Sequence, residues 1–437
     1  MKITVLGLGY IGLPTALLFG RSGHEVVGMD VNQTVVDSLN GGVLHFEEKG
    51  LQELFDQAKG HFTAQNTVPE ADVFVIAVPT PLNKSLRVAD LSYVRAAAAM
   101  IAQVVKEYNL VVLESTVPPG ASERIVIPIL ERSGLSRSEF FYAHCPERAI
   151  PGNTILEMVF NDRIIGGIDQ ESGMLASEVY SSFVRGSIHV TNVRNAEFIK
   201  LLENTYRDVN IALANELAKI AEESGINIWN AIELANKHPR CAILKPGPGV
   251  GGHCIAIDPW FITENSTKTG IIHLSRDIND SMPNFVIHLL RGVLKGVKDP
   301  MVTVLGVSYK GDVGDTRESP ALKFIQLCEN EGYGIKCYDP FVNAFDYPLF
   351  ELDPALSDSD CIVLISDHLV FQQIDPSKVQ MRRKNVIDTR NILDPQKWKA
   401  HGFTVKIMGN GGLEPQGPEE LLTEVSDPVM DNKVIPL

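Results

Sequence analysis

The segment Lys2–Asp30 constrains this chain more than any other. An apolar run, Lys2–Leu6, leads into Gly7-Leu8-Gly9-Tyr10-Ile11-Gly12. A helical pattern follows to Arg21, Gly23 closes it, and a second apolar run, Glu25–Met29, ends at Asp30. Glycines at this spacing mean little alone. Set between a strand and a helix, with an acidic residue 18 positions after the last glycine, they specify a dinucleotide-binding turn. Gly7 permits the tight turn, Gly9 lets backbone approach a pyrophosphate, and Gly12 lets helix pack close to strand. Tyr10 and Ile11 complete the turn, and the helix N-terminus offers partial positive charge to the phosphates. Asp30 suits the ribose hydroxyls and repels a 2′-phosphate, which Val31-Asn32-Gln33 has no arginine to hold. The pattern predicts NAD over NADP.

Strands alternating with helical stretches continue at 72–81, 109–120 and 139–152, which implies a parallel sheet covered on both faces. Their carboxyl ends carry Thr80, Ser115-Thr116 and Pro146-Glu147, placed to face the same crevice. Thr80 and Thr116 read equally as cofactor contacts or ordinary strand-end hydroxyls. From Asn195 the texture becomes helical for some thirty residues, with Gly225 as a stop. A helix of that length crosses between domains or packs on a second copy of the chain. After Asp299-Pro300 the strand–glycine–helix–strand–Asp pattern returns, weaker, with Gly306 and Gly311 in place of the first spacing. That repeat either holds a second nucleotide of a different kind or merely supports the fold. The expected architecture is α/β: two Rossmann-like, doubly wound parallel-sheet domains (1–195 and 296–413), joined by a helical domain with a long central helix (196–295), and a tail (414–437).

A net charge of −15 argues against nucleic acid or an anionic membrane as partner. No apolar run approaches the roughly 18 residues of a membrane span. The N-terminus enters a strand without a signal-peptide layout. Six cysteines with no C-x-x-C pair suit a reducing, cytoplasmic compartment. His144-Cys145 and His253-Cys254 lack metal-ligand spacing, so no metal site is expected.

Cys254 closes the run GPGVGGHC, and Asp258 follows four residues later. The bland reading is filler in a tight turn. The chemical one begins from an aldehyde, which must form a tetrahedral adduct before it can lose hydride to become an acid. A thiol supplies that adduct and then a thioester that water cleaves. Bare glycine backbone, Gly251 included, lets a substrate lie alongside. The oxyanion needs a cation or amide. Lys200 and Asn204, four apart on the long helix, share a face, although such a pair is more often solvated.

Together, GLGYIGLPTA, VPTP, ESTVPPG, CPERAIPG, KLLENTYRDVNIALANELA, GPGVGGHCIAIDPWF and YKGDVGDTRESP resemble the UDP-glucose/GDP-mannose dehydrogenase family over residues 1–410. That resemblance implies four-electron oxidation of a nucleotide sugar at C6 with two NAD per turnover. It implies Cys254 as nucleophile, with Lys200 and Asn204 on oxyanions and substrate. Asp258 becomes the base or water-positioning group, Glu147 a helper in thioester hydrolysis, and Thr116 a neighbour of the nicotinamide. Gly251, Lys310 and Arg390 would meet the UDP-sugar, with Arg240 donated by the second subunit of a homodimer. Family members acting on UDP-glucose carry lysine where this chain has Ile257 and asparagine where it has Cys145. Both departures favour a UDP-N-acetylhexosamine, with Arg148 shaping the sugar pocket. The sequence form is most similar to members acting on UDP-N-acetyl-D-mannosamine, with the gluco and galacto epimers or UDP-glucose as alternatives. A non-catalytic NAD-sensing module predicts decay at the nucleophile or its helpers, and Cys254, Lys200, Asn204, Asp258 and Glu147 are all present.

Overall fold

A computed structural model describes residues 1–150 and 152–411; the tail expected at 414–437 lies outside the described residues. Ten strands precede the long helix: β1 Lys2–Leu6, β2 Glu25–Met29, β3 Phe62–Gln65, β4 Val73–Ile76, β5 Leu82–Asn83, β6 Val88–Ala89, β7 Leu110–Leu113, β8 Phe141–His144, β9 Arg163–Gly167 and β10 Ile188–Asn192. Eight of them form one sheet in the order β10-β9-β8-β7-β4-β1-β2-β3, and β5 and β6 form a separate hairpin. Alternate residues of each strand face opposite layers. Val5 joins the core with Leu13, Leu17 and Phe19, while its neighbour Leu6 joins that with Phe74, Val111 and Tyr142.

One feature of this sheet departs from the expected parallel arrangement. β9 runs antiparallel to β8, pairing Ala143 with Gly167 and His144 with Gly166. The link between them contains one short helix, Thr154–Phe160, and re-enters the sheet from the end that β8 has just reached. β9 and β10 are parallel to each other and form the edge of a mixed sheet.

The long helix spans Val193–Ser224, about 48 Å at the usual rise. Asn192 caps its start by accepting the Asn195 N–H, and Gly225, left-handed at φ 71°, ends it. It begins three residues before the boundary expected at 196. Helix Gly270–Val293 lies against it, tied by Arg276 and Asn279 to Asp208.

The second sheet has β11 Met301–Leu305, β12 Gly334–Tyr338, β13 Cys361–Leu364, β14 Asn385–Asp388 and β15 Thr404–Ile407, all parallel, in the order β12-β11-β13-β14-β15. The weak sequence repeat is a geometric one. Gly7 N–H donates to Met29 O at 2.8 Å, and Asp30 accepts the Leu8 N–H at 3.0 Å. Likewise Gly306 N–H donates to Tyr338 O at 2.8 Å, and Asp339 accepts the Val307 and Ser308 N–H groups at 2.8 and 3.1 Å. In each copy the acid after the second strand braces the turn after the first.

Candidate active site

A cavity of about 1230 Å³ is walled by both sheet domains and the helical segment between them. The glycine turn forms one wall. Gly7 needs its positive φ of 90°, and a Cβ on Gly12 would lie 1.8 Å from Gly7 O. Gly9 is different: a Cβ there would meet nothing within 4 Å. Protein packing therefore does not require glycine at position 9, whereas a ligand lying on the backbone does. Helix Gly12–Arg21 has no side-chain cap at its start, which leaves its N-terminal end to an anion. Asp30 spends one lone pair on Leu8 N–H and one on Asn32 N–H, and its carboxylate still faces the cavity. These features fit a dinucleotide. Tyr10, Ile11, Thr80 and Thr116 line the same space.

Cys254, Asp258, Lys200 and Glu147 also reach this cavity. The Cys254 carbonyl accepts the Ile257 and Asp258 N–H groups at 3.0 and 2.8 Å, so the spacing of four is one tight turn entering helix Asp258–Thr263. Asn204 does not line the cavity. It reaches Asp258 from behind, Nδ2 donating to Oδ2 at 2.6 Å. Burial pushes the Asp258 carboxyl up to about 6, against the opposing pull of Lys200 and Asn204. Burial also raises the Cys254 thiol, which Lys200 pulls down and Asp258 pushes up. Lys200 is only 6% exposed, and among the described residues no carboxylate lies within ion-pairing distance of it. A buried ammonium without a counter-ion suits an oxyanion that appears during reaction.

Glu147 is held differently. One oxygen accepts the Arg148 and Ala149 N–H groups at 2.6 and 2.8 Å, and the other accepts Arg163 Nη2 at 2.6 Å. Burial opposes ionisation, but Arg163 and the two amides outweigh it and hold this carboxyl below its usual range. Glu114, on the same guanidinium at 3.5 Å, is pushed by burial up to about 7. His253 is driven by burial, then Arg317, down to about 4 and stays neutral.

Besides Asn204, five expected substrate groups stand outside the cavity wall. Arg148 pairs with Glu203 and donates to Asp162 O. Arg390 donates to Ile365 O at 2.9 Å and fills the space beside Gly247. Lys310 and Arg240 are exposed. Gly251 is a packing position, where a Cβ would stand 2.6 Å from Glu318 O and Tyr309 Cβ. Sequence reasoning missed Arg317, which lines the cavity 5.0 Å over the Tyr10 ring, although it sits in the quoted GDTRES run. It also missed Arg163, Arg276 and Arg87, none of which has a local signature. Among the described residues no helix is long and apolar enough to cross a membrane, and no three His, Cys, Asp or Glu side chains converge as metal ligands.

A glycine turn for a dinucleotide that shares its cavity with a thiol, a carboxyl and a buried lysine is the arrangement of a dehydrogenase. The chain belongs to the UDP-glucose/GDP-mannose dehydrogenase family: the NAD-binding domain matches residues 1–184, the central domain 194–281 and the UDP-binding domain 303–395. It is 47% identical to the UDP-N-acetyl-D-mannosamine dehydrogenase of Methanococcus maripaludis, over 94% of this chain and 97% of that one. It is 42% identical to an NDP-N-acetyl-D-galactosaminuronic acid dehydrogenase of Ralstonia solanacearum, over 91% and 97%. The solved structure of the UDP-D-ManNAc dehydrogenase of Pyrococcus horikoshii is similar with a TM-score of 0.89 at 41% identity, covering 94% of this chain and 100% of that one. The protein is a nucleotide-sugar dehydrogenase with NAD as cofactor.

Proposed function

We propose that this enzyme oxidises UDP-N-acetyl-D-mannosamine at C6 to UDP-N-acetyl-D-mannosaminuronate, in two successive oxidations. The observation that carries this reading is the meeting of Cys254, Asp258 and the buried Lys200 in the cavity of the glycine turn. NAD, when bound, supplies the hydride acceptor for both oxidations. In the first, Asp258 takes the C6 hydroxyl proton, directly or through water, while Lys200 holds the developing oxyanion. Asn204 keeps Asp258 in place. The Cys254 sulfur then bonds to the aldehyde carbon, its proton ending on the carbonyl oxygen. Loss of a second hydride and of that hydroxyl proton leaves a thioester. Water, deprotonated by Asp258, breaks the C–S bond; the thiol returns and the carboxylate departs. Glu147, ionised and with both oxygens occupied, acts by orienting that water and not as its base.

The N-acetylated sugar is supported by Ile257 and Cys145, and by the names of relatives such as that of M. maripaludis. A homodimer is supported by Phe198, Leu202, Tyr206, Leu213 and Ile220, an apolar stripe on the long helix between 43% and 58% exposed. In such a dimer the exposed Arg240 is free to reach the partner's cleft. Six unpaired cysteines agree with a reducing, cytoplasmic setting, and the product suits a glycan containing an aminouronic acid. The test is a panel of UDP-sugars with NADH counted per sugar consumed. The expected outcome is two NADH per sugar, with UDP-N-acetylmannosamine preferred over its gluco and galacto epimers and over UDP-glucose. One NADH per sugar would remove the acid-forming half.

A further inference from the structure

The hairpin β5–β6 belongs to neither sheet. It leaves the dinucleotide domain directly after Thr80, from between Pro79 and Pro81, and reaches the other two parts of the molecule. Its base is closed by Asp90 N–H to Pro81 O at 2.8 Å and its tip by Arg87 N–H to Asn83 O at 2.7 Å. Leu82 and Ala89 pack on Leu201, Trp260 and Phe261, so the arm lands on the helix that starts with Asp258. Three further contacts hold it there. Ala89 N–H donates to Glu264 Oε2 at 2.9 Å, the Arg87 guanidinium lies 4.3 Å over the Trp260 ring, and Lys84 pairs with Glu318 at 2.7 Å. Lys84 and Arg87 line the cavity; Glu264 does not.

We propose that residues 81–90 are a strap that opens for coenzyme exchange while the sugar stays bound, and that Arg87 on Trp260 and Glu264 on Ala89 are its latches. The inference rests on the two-oxidation reading. Such a reaction must release the first NADH and admit a second NAD before the half-oxidised sugar is finished. That demands an exit on the coenzyme side which leaves the sugar side shut. The strap has the right build. Two prolines fix φ at its root, so it swings as one piece. Its two latches are one backbone hydrogen bond and one cation–ring contact; with the exposed Lys84–Glu318 ion pair and the small apolar contact of Leu82 and Ala89, they are cheap to break compared with a packed core. It sits on the helix that starts with Asp258, so its closing can be felt by the reacting groups.

The test follows NADH release from the full-length protein by stopped-flow NADH fluorescence. Glu264→Ala removes a latch without altering the cavity wall. Arg87→Ala removes the other, and Arg87→Lys retains a cation. The expected result is release about tenfold faster for Glu264→Ala and for Arg87→Ala, since one such contact corresponds to roughly that factor. UDP-sugar affinity should stay within about twofold of the parent, with partial rescue in Arg87→Lys. During turnover the loosened variants should still form two NADH per acid, because the sugar side stays shut. If Glu264→Ala leaves the release rate unchanged while Arg87→Ala weakens NADH at equilibrium, Arg87 is a simple ligand contact and the strap is overturned. Release unchanged in both variants overturns it equally. The release measurement needs no turnover. A parent enzyme that forms one NADH per sugar would instead sink the two-oxidation reading.

Discussion

Asp258 and Glu147 are both buried carboxyls on one cavity, yet their surroundings push them apart. Asp258 has one neutral amide donor and sits near 6; Glu147 has a guanidinium and two amides and stays ionised. In the proposed reaction a pair separated in this way divides the work, the first moving protons and the second supplying fixed charge. Because the basic form of Asp258 fills only above about 6, kcat/KM should fall on the acid side with an apparent pKa near that value. Asp258→Asn should lower kcat by about 100-fold or more and abolish that limb; a limb that survives in the variant would assign it elsewhere. The raised pKa has a stability consequence too. Between about 4 and about 6 the folded state binds more protons at this site than the unfolded state, so stability declines as pH rises through that window. The Asn variant should lack that decline in pH-resolved denaturant melts. Both cavity carboxyls were legible from motifs. Their division of labour was not, because Arg163 lies on a strand that no local pattern marks.

At the scale of elements, the long helix does two things with its two faces. Its inner face buries Lys200, Asn204 and Asp208, and its outer face leaves five large apolar side chains in solvent. A face of that kind is costly unless covered. Leu202→Glu with Leu213→Glu should convert a dimer to a monomer in sedimentation or light scattering, and should leave NAD binding, which is built in the first domain, nearly unchanged. A variant that stays dimeric would place the contact elsewhere. The helix and its glycine stop could be read from spacing alone, because each is set by neighbours within four residues. The antiparallel β9 and the hairpin β5–β6 could not. Strand direction leaves no trace in apolar periodicity, and a two-residue strand is too short to have a period.

For the whole molecule, the joint that matters is between the long helix and helix Gly270–Val293. Arg276 is 2% exposed and meets Asp208, which is wholly buried, with Asn279 on the same carboxylate at 2.8 Å. Asp208→Ala should destabilise the protein by roughly 2–3 kcal/mol, since it removes the buried one of two carboxylates on Arg276 and leaves only the half-exposed Asp280. The loss should appear as a lower midpoint in thermal and denaturant unfolding, and an unchanged midpoint would mean the pair is solvated. By itself the sequence determined the glycine turn, the acid that follows it, the long helix and the thiol at the end of the second glycine run. Those depend on residues a few positions apart, whose geometry the backbone dictates. Only the tertiary structure decided which cations face the cavity and which are spent elsewhere. Arg317, Arg87 and Arg276 line it, Arg317 held by Asp315 and Arg276 by Asp208, while Arg148 and Arg390 turn to partners outside it. A long flexible side chain carries no local signal of its direction. That direction is fixed by what three separately folded parts of the chain place around its tip.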